Sequence, residues 1–147
     1  MAPTKPMKRI QQGFTLIEVM ITVAIVGLIM AVAVPMYGDY VTRSRLSEAF
    51  TALGAAQPSA EQYWANNRKY EDFDKSANFP ADTANFTYAL SNVTTATFTL
   101  TATGIGKMSG FIFTVDQNGT HATTGSPTGW GTNNNCWVDH KGGTCSN

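Results

Sequence analysis

At 147 residues the chain has room for one domain with one modest core. Formal net charge is zero and 14% of residues are charged, against roughly 25% in an average soluble protein, so the balance carries neither a nucleic-acid footprint nor a funnel for acidic substrates. The charge is unevenly placed: residues 1–13 hold Lys5, Lys8 and Arg9 with no acid, while the seven basic and ten acidic residues after Gly13 leave a net of −3.

From Phe14 to Val34 the chain is an apolar run of 21 residues with one charge, Glu18. As a helix rising 1.5 Å per residue it spans about 31 Å, enough to cross the hydrocarbon core of a bilayer. The basic cluster before it favours a cytoplasmic N-terminus and a translocated C-terminal body. Arg43 and Arg45 on the far side weaken that bias without reversing it. Periodicity alone leaves a second reading open. Ala31-Val32-Ala33 offers a small-residue cleavage site of the secretory kind, which would release a soluble protein. The run exceeds the length of a usual signal core, which favours the anchor.

Glu18 is the anomaly in this run. An acid at a bilayer centre costs of order 2.5–3.5 kcal/mol, and less near a helix end. If the chain is cut between Gly13 and Phe14, a new α-amine stands one helical turn before Glu18, where the helix dipole also favours an anion. The Glu18 of one subunit could then meet the Phe14 amine of a neighbour. Protonation, or snorkelling to the headgroups, is the alternative at this stage.

Beyond Pro35 and Gly38, Leu46, Ala49, Leu53, Ala56, Ala60 and Tyr63 recur at helical intervals, with Phe50 and Trp64 beside them. This predicts an amphipathic helix laid against a core. Pro35 and Pro58 each remove a helix hydrogen bond and are expected to kink the rod or unwind it locally. Asn66-Asn67 marks the expected helix end.

Residues 67–85 read as a connecting loop. Phe86–Leu90 and the threonine-alternating stretch Thr95–Thr103 read as strands, and Phe111, Phe113 and Val115 line a third. Asp116-Gln117-Asn118-Gly119 supplies a hairpin turn into Thr120–Thr124. Three or four antiparallel strands need a cover for their apolar face, and the amphipathic half of the helix is the candidate. The expected fold is therefore α+β, a long N-terminal helix packed on a 3–4-stranded antiparallel sheet.

Past Gly125 the chain is rich in turns. Cys136 and Cys145 suggest a disulfide formed in an oxidising compartment, worth roughly 2.5–3 kcal/mol in the chain-entropy model. A metal reading would recruit His121 and His140, but Cys–x3–His–x4–Cys fits no common zinc pattern. Trp130 and Trp137 either pack beneath the disulfide or face neighbours. No nucleophile elbow, HExxH, phosphate loop or dinucleotide fingerprint is present, so no catalytic set, cofactor or small-molecule substrate is expected.

Gly13-Phe14-Thr15-Leu16-Ile17-Glu18 followed by an apolar run resembles the prepilin cleavage and methylation motif of type IV pilins and pseudopilins. Pro35, Tyr37, Asp39, Tyr40 and the Arg43–Arg45 pair extend the likeness over residues 8–53. The resemblance implies a leader at 1–13, a long helix at 14–66 with a membrane-spanning part at 14–34, and a globular head at 67–147. It implies cleavage after Gly13 by a prepilin peptidase, N-methylation of Phe14, and a role for Glu18 in aligning subunits. The precursor would sit in the inner membrane with its lipid bilayer and pilus assembly machinery, then join other pilin subunits in an extracellular fibre serving twitching, adhesion or DNA uptake. Glu61–Asn67 with Tyr70, and the tail from Asp116 through Cys136-Trp137 to Cys145, resemble minor more than major pilins. A major pilin, a secretion pseudopilin and a conventionally secreted or tethered binding domain are the alternatives.

Overall fold

The structure, a computed structural model, describes residues 13–146. The basic residues Lys5, Lys8 and Arg9 of the expected leader lie outside the described residues. Helix α1 runs Leu16–Asn67, ending at the asparagine pair. It is helical through both Pro35 and Pro58, so neither proline unwinds it. Both lie on exposed surface, where water can satisfy the carbonyl each one leaves without a donor. The chain divides into two compact units, one ending at Gly38 and one beginning at Asp39.

In the first unit every described residue is exposed. In the second, the four strands are β1 (Phe86–Ser91), β2 (Thr99–Gly104), β3 (Ile112–Asp116) and β4 (His121–Gly125). They form one antiparallel meander in chain order. Period-two burial puts Phe86 and Tyr88, Leu100 and Ala102, Phe113 and Val115 on one face. Leu46, Ala49, Leu53, Ala56 and Ala60 of α1 join them in a single core, all at 2% exposure or less. The alanines keep that helix stripe narrow, leaving the aromatic bulk to the sheet.

Strand β2 starts at Thr99 rather than Thr95. The Thr94 hydroxyl accepts from the backbone N–H groups of Ala96 (3.1 Å) and Thr97 (3.0 Å), and the Phe98 N–H goes to Gln117 Oε1. A side chain that bonds its own backbone competes with the ladder, and here it makes a turn. Gly104 closes the same strand beneath the 3-10 turn Gly106–Met108, where an added Cβ would collide with the Met108 carbonyl. The β3–β4 hairpin turns as expected. Asp116 Oδ1 accepts from the N–H groups of Asn118 and Thr120, both at 2.9 Å, and Gly119 takes φ +74°.

Both sheet edges are partly occupied. On β1, the Phe86 N–H donates to Thr83 Oγ1, the Phe86 carbonyl accepts from the Thr83 N–H, and the Tyr88 N–H donates to Asp82 Oδ1 at 2.8 Å. On β4, Thr123 exchanges both backbone bonds with Asn133, at 2.7 and 3.1 Å.

The tail is held by more than a staple. Cys136 and Cys145 are disulfide-bonded, with Cα atoms 6.3 Å apart. Trp130, Trp137 and Val138 are buried, so burial contributes more than the composition of this stretch suggests. The buried Thr123 hydroxyl donates to the Cys136 carbonyl at 3.0 Å and accepts from the Val138 N–H at 2.8 Å. Lys141 reaches Asp39 of α1 at 2.9 Å. With both sulfurs joined, the histidines have other company: His121 stacks on Trp137, and His140 bonds Asp139.

Candidate functional site

The features that set this chain apart gather at the start of α1. Gly13, Phe14 and Thr15 precede the helix, which begins at Leu16. The Glu18 N–H donates to Thr15 Oγ1 at 3.2 Å, and the Val19 N–H to the Thr15 carbonyl at 3.3 Å. Thr15 is thus the N-cap and Glu18 stands three residues on, the spacing of a capping box. The T-x-x-E pattern of Thr15 and Glu18 carries this start, and the helix begins two residues after Phe14, the start that the apolar run predicts. Phe14 lies one residue outside the cap, 84% exposed. Phe14 therefore does not stand one regular helical turn before Glu18.

Glu18 is exposed, in the first turn, and the single charged side chain from Gly13 to Gly38. It stands at the N-terminal, positive end of the helix dipole. Around it Leu16, Ile17, Met20 and Ile21 are all more than half exposed. The apolar surface continues through Val34, Met36 and Tyr37, far beyond the patches that soluble monomers leave open. A helix of this length and composition can cross a membrane. The arrangement offers apolar area that suits lipid or like helices, with one anion near its end.

Among the other expected site residues, Pro35 and Pro58 are exposed along α1. Cys136 and Cys145 are joined in the second unit, and the two tryptophans pack inward.

Comparison with known proteins accords with this arrangement. Residues 8–34 match the prokaryotic N-terminal methylation motif, and residues 35–111 match the family described as type IV minor pilin ComP, DNA uptake sequence receptor. The fimbrial protein EcpC of Eikenella corrodens is 38% identical, over 69% of this chain and 70% of that protein. The type IV major pilin PilE1 of Neisseria gonorrhoeae is 42% identical, over 48% of this chain and 43% of its own length. The chain thus spans less than half of that major pilin. Among solved structures, the non-core minor pilin PilV of Neisseria meningitidis superposes with a TM-score of 0.53 at 26% identity, covering 61% of this chain and 93% of that one.

The chain belongs to the type IV pilin family. Within it, the family model and the structural neighbour both place it with the minor pilins. Type IV pilins are structural proteins. A methylation motif leading into an apolar helix makes this chain an inner-membrane precursor and then a filament component.

Proposed function

We propose that this chain is a minor pilin whose precursor is cut after Gly13 by a prepilin peptidase and N-methylated on Phe14. Residues 1–13 act as leader, 14–34 hold the precursor in the bilayer, and the remainder of the helix to residue 66 carries the head, 67–147. Inner-membrane assembly machinery then draws the subunit into a fibre with other pilins, where Glu18 sets the axial register. The proline at 35 provides a point of bending in that helix. The role is mechanical and needs no catalytic group.

The observation that carries this reading is the wholly exposed apolar start of α1 with Glu18 as its lone charge. Lipid and like helices both match such a surface, and an acid kept there needs a cationic partner. Methylation preserves the charge of the Phe14 amine, so the partner persists in the mature chain. Intact-mass analysis of the mature protein tests the reading. A chain beginning at methylated Phe14 is expected, and substitution of Gly13 blocks processing. A mature chain beginning at Val34, or normal trimming of the Gly13 variant, overturns it.

A second reading, contact with DNA, is favoured by the description of the matched family and by Arg68, whose guanidinium lies 5.2 Å over the Trp64 ring. Cation and aromatic ring together suit a nucleobase and its phosphate. Against it, Lys69 and Lys75 are both paired with Asp72, and the chain after Gly13 is net acidic. Fluorescence polarisation of labelled duplex DNA across a salt series separates the two. Binding that weakens steeply with salt and is lost in Arg68→Ala supports it; no binding at low salt rejects it.

A further inference from the structure

The second unit holds a surface cleft of about 220 Å³ that no described side chain fills. It is lined by Glu48, Ala52, Ala55 and Ser59 of α1, Asn78, Pro80 and Thr83 of the following segment, and Tyr88 of β1. The walls are methyl and ring carbon. The cleft's polar groups are the Glu48 carboxylate, the hydroxyls of Ser59, Thr83 and Tyr88, and the Asn78 amide, so the one formal charge on the lining is negative.

Tyr88 is 92% buried, at 8% relative exposure. Its hydroxyl has no hydrogen-bond partner among the described residues. Leaving such a group unmet in a folded core is costly. Burial, with the negative charges of Glu48 and Asp82 nearby, pushes its ionisation up to about 12, so the ring stays neutral. Glu48 uses one oxygen, Oε2, to accept from Asn85 Nδ2 at 2.8 Å. Its other oxygen has no hydrogen bond among the described residues. No basic side chain lines the cleft.

We infer that this cleft receives the cationic end of a lysine or arginine side chain from a neighbouring pilin subunit. The fit is one of charge and shape together. An ammonium carries three donors and a guanidinium five, with no acceptor on either. Both ride on a methylene stem that suits alanine and proline walls while the charged head meets the carboxylate. A neutral or anionic group would leave Glu48 uncompensated. The chain itself carries suitable donors: Arg43 and Lys107 are exposed and make no ion pair among the described residues. That the occupant comes from another subunit rests on the filament reading above; that it is an organic cation does not.

Two measurements test the inference separately. The detergent-solubilised full-length chain, labelled with 15N, is titrated with n-butylammonium chloride and, in parallel, with n-butanol. Butylammonium is expected to shift the amides of Ala52, Ala55 and Tyr88 saturably, butanol to leave them unmoved at equal concentration, and Glu48→Gln to weaken the response at least tenfold. No saturable shift in the wild type, or an equal response to butanol, overturns the cation site. In sheared fibres, Glu48→Gln and the cleft-filling Ala55→Leu are expected several-fold below wild type, with leader cleavage normal. Wild-type incorporation of both, with butylammonium binding intact, makes the occupant a free amine and overturns the subunit contact. Absence of the wild-type chain from fibres defeats the filament reading instead, and the titration still decides the chemistry of the cleft.

Discussion

Phe50 on α1 and Trp137 in the disulfide loop stack with ring centroids 5.4 Å apart and planes 14° from parallel. The same indole stacks on His121 of β4 at 3.7 Å and donates its N–H to the Thr114 carbonyl at 2.9 Å. One side chain thus joins helix, sheet and tail. Trp137→Ala removes a buried ring and two stacking partners, for an expected loss of about 3–5 kcal/mol. Chemical denaturation of the detergent-solubilised chain, followed through the midpoint, measures it. A loss under 1 kcal/mol would show that the tail is held elsewhere.

Reducing the Cys136–Cys145 bond should cost about 2.5–3 kcal/mol if chain entropy is the main term. The tail has independent anchors in Trp130, Trp137 and the Lys141–Asp39 pair. Reduction is therefore expected to lower the melting temperature while preserving the sheet. Melting with and without reductant, alongside Cys136→Ser/Cys145→Ser, checks this. Loss of sheet signal at ambient temperature on reduction would contradict it.

Asp139 gives the tail a dependence on acid. Burial raises its carboxyl, but the hydrogen bonds from Ser146 and His140 together outweigh burial and hold it below the usual carboxylate value. A carboxylate depressed in the folded state contributes stability above its unfolded value, near 4, and loses it as pH falls through the lower folded value. Amide exchange at Ser146 should therefore accelerate as pH drops below about 4, beyond the intrinsic trend. Asp139→Asn should show the faster exchange at neutral pH and little further change. A variant with wild-type protection at pH 7 rules out this role.

Glu18→Ala removes the lone acid without touching the cleavage site. The precursor should be trimmed normally, while the amount in sheared fibres falls at least tenfold. Wild-type levels in fibres would refute the alignment role of Glu18.

Much of the fold was legible because its signals are local. The helix stripe from Leu46 to Ala60 and the asparagine stop at Asn67 follow from spacing and side-chain chemistry within a few residues. The alternation through Phe111, Phe113 and Val115, and the Asp116–Gly119 turn, do so too. The misreading at Thr95–Phe98 has a local cause as well. Threonine alternation mimics a strand, and only the Thr94 hydroxyl, bonded to Ala96 and Thr97, decides for a turn. At the candidate site, Glu18 stands out in any apolar run, whereas the capping role of Thr15 shifts the helix start by two residues from the expected one. The cleft at Tyr88 and the Lys141–Asp39 pair were not legible. Each depends on segments far apart in the chain meeting through the packed core, and no periodicity records that.

The guarded margins of the sheet restrict how heads of this kind can be joined. Thr83 and Asp82 occupy outward backbone groups of β1, and Asn133 occupies those of Thr123 on β4. An incoming extended segment would have to displace these bonds before forming its own. Copies crowded at high local density therefore zip into a shared sheet only by breaking these bonds first, which favours contacts through helices and loops instead.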